Sequence, residues 1–254
     1  MQLPSLMRQI FAYLRLEQRS VFNPGMNFLS HYYLDRDRDD SWFFVGVSTP
    51  DLVSIFDRNV RLKKNKMPLI RENENSEAEI SFYNGCLRHI EVDGIFHTSD
   101  FFKEETATIS KMLVDAYDKE EINRAFFIAH VAFELILDKI LIQETPGLVE
   151  SFYAHMEKFS LDQQLKMTEW VTKTSLPGYK GFLHKFISRK YLSHYTDWDH
   201  VVYVLKKILM GVGVKPIDFL HDRKFIDLMQ EYEDGLSERC FYGFSQLNRQ
   251  LLKI

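Results

Sequence analysis

Residues 84–102 read NGCLRHIEVDGIFHTSDFF, and within them His89, Asp93 and His97 follow one another at intervals of four. On a helix, four residues advance about one turn and only about 40° in azimuth, so the three side chains share a face. Imidazole and carboxylate groups stacked in this way can hold a divalent cation, pass a proton or form an ion pair. Cys86, Leu87, Ile90, Val92, Ile95 and Phe96 surround them. That face is therefore expected to be partly buried, where a lone charge is costly unless it is paired or coordinated.

RAFFIAHVAFELILDKIL (124–141) repeats the spacing with His130 and Glu134, in a run apolar enough to be central to a core. Between Phe126 and Leu137 the only basic residue is His130. Glu134 therefore needs a partner, or its carboxyl must hold its proton to a much higher pH than usual. His31 in MNFLSHYYL (26–34) and Asp51 in FFVGVSTPDLV (43–53) are each the principal ionisable group of an apolar neighbourhood. Four helices would then each turn one or two such groups inward. That is the make-up of a divalent-metal site in a helical bundle, with mixed nitrogen and oxygen ligands suited to Mn, Fe or Zn rather than Ca. Each residue also has a plainer reading. His31 can be a hydrogen-bonded core histidine, Asp51 after Thr49-Pro50 a helix N-cap, His89 with Asp93 an ion pair, and His97 a partner of a helix C-terminus. Their convergence is what raises them together.

The elements that must position these groups are expected to be helices. Only 11 Gly and 7 Pro in 254 residues leave few chain breakers, and long segments show helical period with little two-residue alternation. Breaks are expected at 23–25, 48–51, 58–78, 144–147, 175–178 and 211–216, leaving eight to ten helices in one all-α bundle. Residues 58–78 pass from a basic run to a polar and acidic one around Pro68 and read as an exposed loop. Phe225, Leu228, Met229, Tyr232, Leu236, Phe244, Leu247 and Leu251 mark the core-facing stripe of a terminal helix. Residues 1–25 read as an N-terminal extension, with an amphipathic stretch at 3–18 that could add a helix, and 26–254 as the domain.

Composition narrows the function classes. A balance of 32 basic against 36 acidic residues gives a formal net charge of −4, no overall case for nucleic acid or for an anionic membrane surface. Cys86 and Cys240 have no Cys-x-x-Cys spacing and read as small packed side chains. No apolar run reaches the roughly 18 residues of a spanning helix, so no membrane span is expected and a cytoplasmic location is. His155, His184, His194, His200 and His221 lie in polar or mixed surroundings and read as surface residues, with HYTDWDHV (194–201) as a helix start. Phosphate-loop, nucleophile-elbow and His-Glu-x-x-His motifs are absent.

Taken in order, these stretches resemble the acyl carrier protein phosphodiesterase family, bacterial enzymes with a helical HD-domain-like fold. MNFLSHYYL is similar to its Met-Asn-Phe-Leu-Ala-His opening, placing His31 on the first family histidine. VGVSTPDLV is similar to Gly-Asn-Leu-Leu-x-Asp-Phe, placing Asp51 on the family aspartate. GCLRHIEVDGIFH follows Gly-x-x-x-His-Arg-x-Ile-Asp through Gly85, His89 and Asp93, and RKYLSHYTDWDHVVYVL (189–205) matches a Tyr-x-Asp-x-Asp segment at Tyr195, Asp197 and Asp199. Three departures stand out: Ile90 replaces the family arginine, Phe96-His97 a Thr-Asp pair, and His130 and Glu134 the paired aspartates of a later helix. An isoleucine cannot replace the bidentate phosphate contact of a guanidinium, so the substrate is the element most exposed to these exchanges.

The resemblance implies a metal-dependent phosphodiesterase that hydrolyses the bond between 4′-phosphopantetheine and a serine of acyl carrier protein. His31, Asp51, His89, Asp93 and Glu134 would be metal ligands, and His97 or His130 would carry protons. Mn is the expected ion, with Fe, Zn or Mg as alternatives. The carrier is acidic, and RLKKNK (61–66) could dock it or could be a solvated loop. Two other readings stay open: a phosphohydrolase acting on a nucleotide or other small phosphodiester, and a non-catalytic scaffold with an internal ion-pair network.

Overall fold

The computed structural model describes residues 27–117, 124–211 and 223–252. The N-terminal extension, the expected breaks at 23–25 and 212–216, and His221 lie outside the described residues. What is described is an all-α bundle of ten helices. They are α1 (Phe28–Leu34), α2 (Ser41–Phe56), α3 (Glu77–Phe96), α4 (Asp100–Ala116), α5 (Ala125–Glu144), α6 (Leu148–Glu157), α7 (Leu161–Thr172), α8 (Tyr179–Arg189), α9 (Trp198–Gly211) and α10 (Arg223–Leu251). A single 3₁₀ turn, Lys64–Lys66, interrupts the largely exposed connection from α2 to α3.

Local chemistry sets most of the boundaries. Asp40 accepts from the Phe43 amide at the start of α2, and Ser76 with Glu79 forms a capping box at the start of α3. Ser99 accepts from Phe102 to open α4, so only His97, Thr98 and Ser99 separate two long helices. The breaks expected at 144–147 and 175–178 are present, with Gly147 and Gly178 at φ +82° and +91°, a left-handed region that glycine enters at little cost. Asp197 accepts from the Asp199 amide at the start of α9.

One expected break is absent. α2 runs through Ser48–Asp51 with Pro50 inside it, so Asp51 is not an N-cap. Proline removes one backbone donor and normally breaks a helix interior. Here Ser48 and Thr49 bond back to the carbonyls of Phe44 and Val45, and almost the whole helix is buried among its neighbours. Tertiary packing thereby outweighs local preference.

α5 is the central element. Ile128, Ala129 and every residue from Val131 to Leu141 are buried, as expected of a helix that is apolar all round. α10 lays its stripe across the bundle, with Phe225, Met229, Tyr232, Leu236, Phe244, Leu247 and Leu251 buried and Leu228 partly so. Both cysteines are fully buried and unpaired. His155 is half-buried rather than at the surface, because Tyr32 and Phe44 pack on its ring and Ser41 bonds its Nδ1.

α2 and α3 run side by side in the same direction, and two glycines let their backbones touch. A Cβ on Gly46 would fall into the Phe82 carbonyl, and one on Gly85 into the Phe43 carbonyl. Asp51 lies further along the same contact, against His89. Gly85→Ala is therefore expected to cost about 1–3 kcal/mol through overpacking against backbone that cannot yield. Gly181→Ala on α8, where added carbon meets nothing within 4 Å, should instead stabilise by about 0.5–1 kcal/mol. Urea denaturation of the two variants checks this, and equal midpoints would show that the crossing is looser than described.

Candidate metal centre

All seven residues singled out by spacing or by apolar surroundings meet in one region of the bundle. His31 comes from α1, Asp51 from α2, His89 and Asp93 from α3, and His130 and Glu134 from α5, while His97 caps the end of α3. His31 Nε2 is 3.2 Å from Asp93 Oδ1, and His89 Nε2 is 3.7 Å from Asp93 Oδ2 and 3.6 Å from Asp51 Oδ1. The His31 and His89 rings stack with centroids 4.0 Å apart. A short step away, His97 Nε2 and His130 Nε2 each lie 2.9 Å from the same oxygen, Glu134 Oε1.

Six of the seven divide into two groups, with Asp51 outside both, against His89. His31, His89 and Asp93 each offer a donor atom within 4.8 Å of the others, and so do His97, His130 and Glu134. Glu134, expected beside the first histidines, belongs with the second pair. α3 contributes to both groups, since Asp93 and His97 are one turn apart along it.

Burial makes these contacts energetically demanding. The side chains of His31, His89, Asp51 and Glu134 are at most 6% exposed, whereas Asp93, His97 and His130 are 14–21% exposed. The second three define the side from which a solute can approach. Among the described residues, every buried imidazole or carboxylate atom lacking a hydrogen-bond partner belongs to this cluster: His31 Nδ1 and Nε2, Asp51 Oδ2, His89 Nδ1, Asp93 Oδ1 and Glu134 Oε2. Buried polar atoms are otherwise almost always satisfied. The atoms that do converge, one imidazole or carboxylate donor from each of His31, His89 and Asp93 within 4.8 Å of one another, fit a divalent transition-metal ion, for which they are the ordinary ligands.

The electrostatics agree with that fit. Burial, then neighbouring His31, holds His89 below the usual histidine range against the pull of Asp51 and Asp93. The imidazole is thus neutral, the form that ligates. Burial would raise the Asp93 carboxyl, but His89, His31 and His97 outweigh it and hold that group well below the usual carboxylate range. Asp51, buried and facing Asp93 and Glu134 with only His89 in compensation, is pushed up to about 7. Burial lowers His97, yet its hydrogen bond and charge contact with Glu134 win and raise it.

Asp138 is the positioning residue that spacing did not reveal. Fully buried, one turn beyond Glu134, it accepts from the Leu29 amide (3.1 Å), the Ser30 amide (2.8 Å) and the Ser30 hydroxyl (2.8 Å). It holds the first turn of α1 and so fixes the short helix carrying His31. Arg88, beside His89, forms a two-point pair with Asp35 just after α1. Lys139 donates to Glu233 Oε1 and the Trp198 indole to Glu233 Oε2, tying α9 and α10 to the far end of α5.

No family model, curated protein or solved structure matches this chain.

Asp138→Ala would leave two buried amides without acceptors and is expected to cost on the order of 2–3 kcal/mol. Because His31 would lose its support, Mn²⁺ affinity should also fall, by roughly 10- to 100-fold. Urea denaturation reads the first effect and calorimetric titration with Mn²⁺ the second. A stability loss with unchanged affinity would reduce Asp138 to a helix cap with no bearing on the site.

Proposed function

We propose that this protein is a metal-dependent phosphodiester hydrolase, with the phosphopantetheine–serine linkage of holo-acyl carrier protein as its substrate. One observation carries the reading. The four residues that resemble the acyl carrier protein phosphodiesterase motifs, His31, Asp51, His89 and Asp93, are separated in sequence yet adjoin one another in the fold. An HD-like arrangement is the corresponding reading of the bundle. Motifs that matched by chance would have no reason to converge.

His31, His89 and Asp93, with Asp51 behind them, would hold the ion, Mn being the best match to two imidazoles and carboxylate oxygen. When bound, a divalent cation supplies Lewis acidity to the phosphoryl oxygens and activates water. The chain's own residues do the rest. His31 and His89 are fixed by stacking, and the deep Asp51 and Glu134 exclude solvent from the rear. Asp93, His97 and His130 border the open side, where the diester must lie. Hydrolysis adds water oxygen to phosphorus and breaks the bond to the serine oxygen, which takes up a proton, releasing apo-carrier and 4′-phosphopantetheine. His97 and His130 are the imidazoles nearest that exchange.

Carrier docking through RLKKNK gains no support from the geometry. Lys64 pairs with Glu91 at 3.2 Å, and Glu91 lies about 200° around α3 from His89, on the side of the helix turned away from the site. A specific feature favours the smaller-substrate reading: Ile90 replaces the family arginine, and Arg88 is already engaged with Asp35. Diester binding would then rest on the cation and the rim imidazoles.

Incubation of holo-carrier with the protein and Mn²⁺ should return apo-carrier, read as loss of one phosphopantetheine by intact-mass spectrometry. Unchanged carrier mass together with turnover of bis(p-nitrophenyl) phosphate would move the substrate to small diesters. Asp93→Ala should abolish either activity while the variant still melts cooperatively, and Mn²⁺ should raise the melting temperature of the wild type more than that of the variant. Near-normal turnover by that variant would remove the ligand assignment.

A further inference from the structure

The His97–Glu134–His130 group is more than a proton path. We propose that it is a second cation site, so that the centre takes two divalent transition-metal ions, one on His31, His89 and Asp93 and one on His97, His130 and Glu134. This rests on the metal-hydrolase reading and deepens it, assigning His97 and His130 as ligands in place of proton carriers.

The convergence of the donor atoms supports the ligand role: one atom from each of His97, His130 and Glu134 lies within 4.8 Å of the others. Here both histidines direct the same nitrogen, Nε2, to the same carboxylate oxygen, each at 2.9 Å. Three donor atoms are brought to one point rather than strung along a path.

Glu134 supplies the second, independent sign. It is 1% exposed, and its other oxygen, Oε2, makes no hydrogen bond. A carboxylate kept only to orient two histidines gains nothing from a buried, unsatisfied oxygen, whose desolvation costs free energy. A second positive neighbour would use it.

The surroundings make the site rigid. Phe102 sets its edge against both rings, with centroids 4.9 Å from His97 and 4.7 Å from His130. Phe96 packs against His97 at 5.4 Å and Phe133 lies behind Phe102. Three elements therefore fix the donors: the end of α3, the first turn of α4 and the middle of α5. The donor chemistry is that of the first group, two imidazoles and one carboxylate, which selects Mn, Fe or Zn over Ca. Paired sites of this kind are what two-metal phosphohydrolases use for in-line displacement at phosphorus.

Metal stoichiometry tests the proposal without recourse to activity. The full chain, stripped with chelator, is saturated with Mn²⁺, freed of loose metal and analysed by inductively coupled plasma mass spectrometry and low-temperature electron paramagnetic resonance. About two ions per chain and an exchange-coupled spectrum are expected for the wild type. His130→Ala and Glu134→Gln should each fall to about one ion and an isolated-ion spectrum. Because Glu134 is deep in the core, its variant could fail to fold. His130 sits at the rim and carries the test alone in that event. A wild type that saturates at one ion, retained by His130→Ala, overturns the second site and leaves the hydrolase reading intact. A wild type that binds no Mn²⁺ removes both.

Discussion

The fold depends on a polar cluster that an apolar bundle has to tolerate at its centre. Withdrawing imidazoles and carboxylates from water is expensive, and pairing recovers the cost only when geometry is good and every remaining polar atom is satisfied. Other buried carboxylates meet that condition. Asp138 has three donors, and Glu233 has Lys139 and the Trp198 indole. Glu105 receives the Tyr232 hydroxyl and the Arg239 guanidinium. Only in the cluster of His31, Asp51, His89, Asp93 and Glu134 are buried imidazole or carboxylate atoms left without a hydrogen bond among the described residues. A sequence able to satisfy its other buried carboxylates keeps these unsatisfied for a reason that packing alone does not supply.

Holding such a cluster together requires rigid support on every side. The two glycines at the crossing of α2 and α3 bring those backbones into contact, and the same contact, followed further along the pair, sets Asp51 against His89. α1 is too short to be stable by itself, since helix nucleation is costly and isolated short helices are marginal. Its position comes from the Asp138 carboxylate at its first turn and from the pairing of Arg88 with Asp35 beyond its last. α5 thus plays two parts: Glu134 faces the cluster, and Asp138, one turn on, fastens the helix that brings His31 to it.

Much of this was legible from spacing. His89, Asp93 and His97 at intervals of four, and His130 with Glu134 in an apolar run, betray one helix face that is both buried and ionisable, because a periodic pattern is a local property of the chain. The helical class followed from the same periodicity. What could not be read is non-local. The division into two triads depends on which helices touch, and the pairing of Lys139 with Glu233 spans two distant elements whose stripes look ordinary in isolation. Asp138 was within reach, four residues after Glu134 in a segment already noted for its apolar character, but its donors on α1 were not. Pro50 misled because proline's local preference is strong, while the hydroxyls and burial that override it belong to the folded neighbourhood. His155 was misplaced for a similar reason, its cover being supplied by rings on α1 and α2.

Charge balance bears on what such a cluster could attract. His89, His31 and His97 hold Asp93 ionised and Glu134 raises His97, while Asp51, pushed up to about 7, is only partly ionised near neutral pH. Each divalent ion that entered would add two positive charges in a poorly screened interior, and the open side at Asp93, His97 and His130 would then favour an anion. Arg88, one residue from His89, is engaged by Asp35, and position 90 is isoleucine, so ions held by the two triads would carry most of the attraction for an anion.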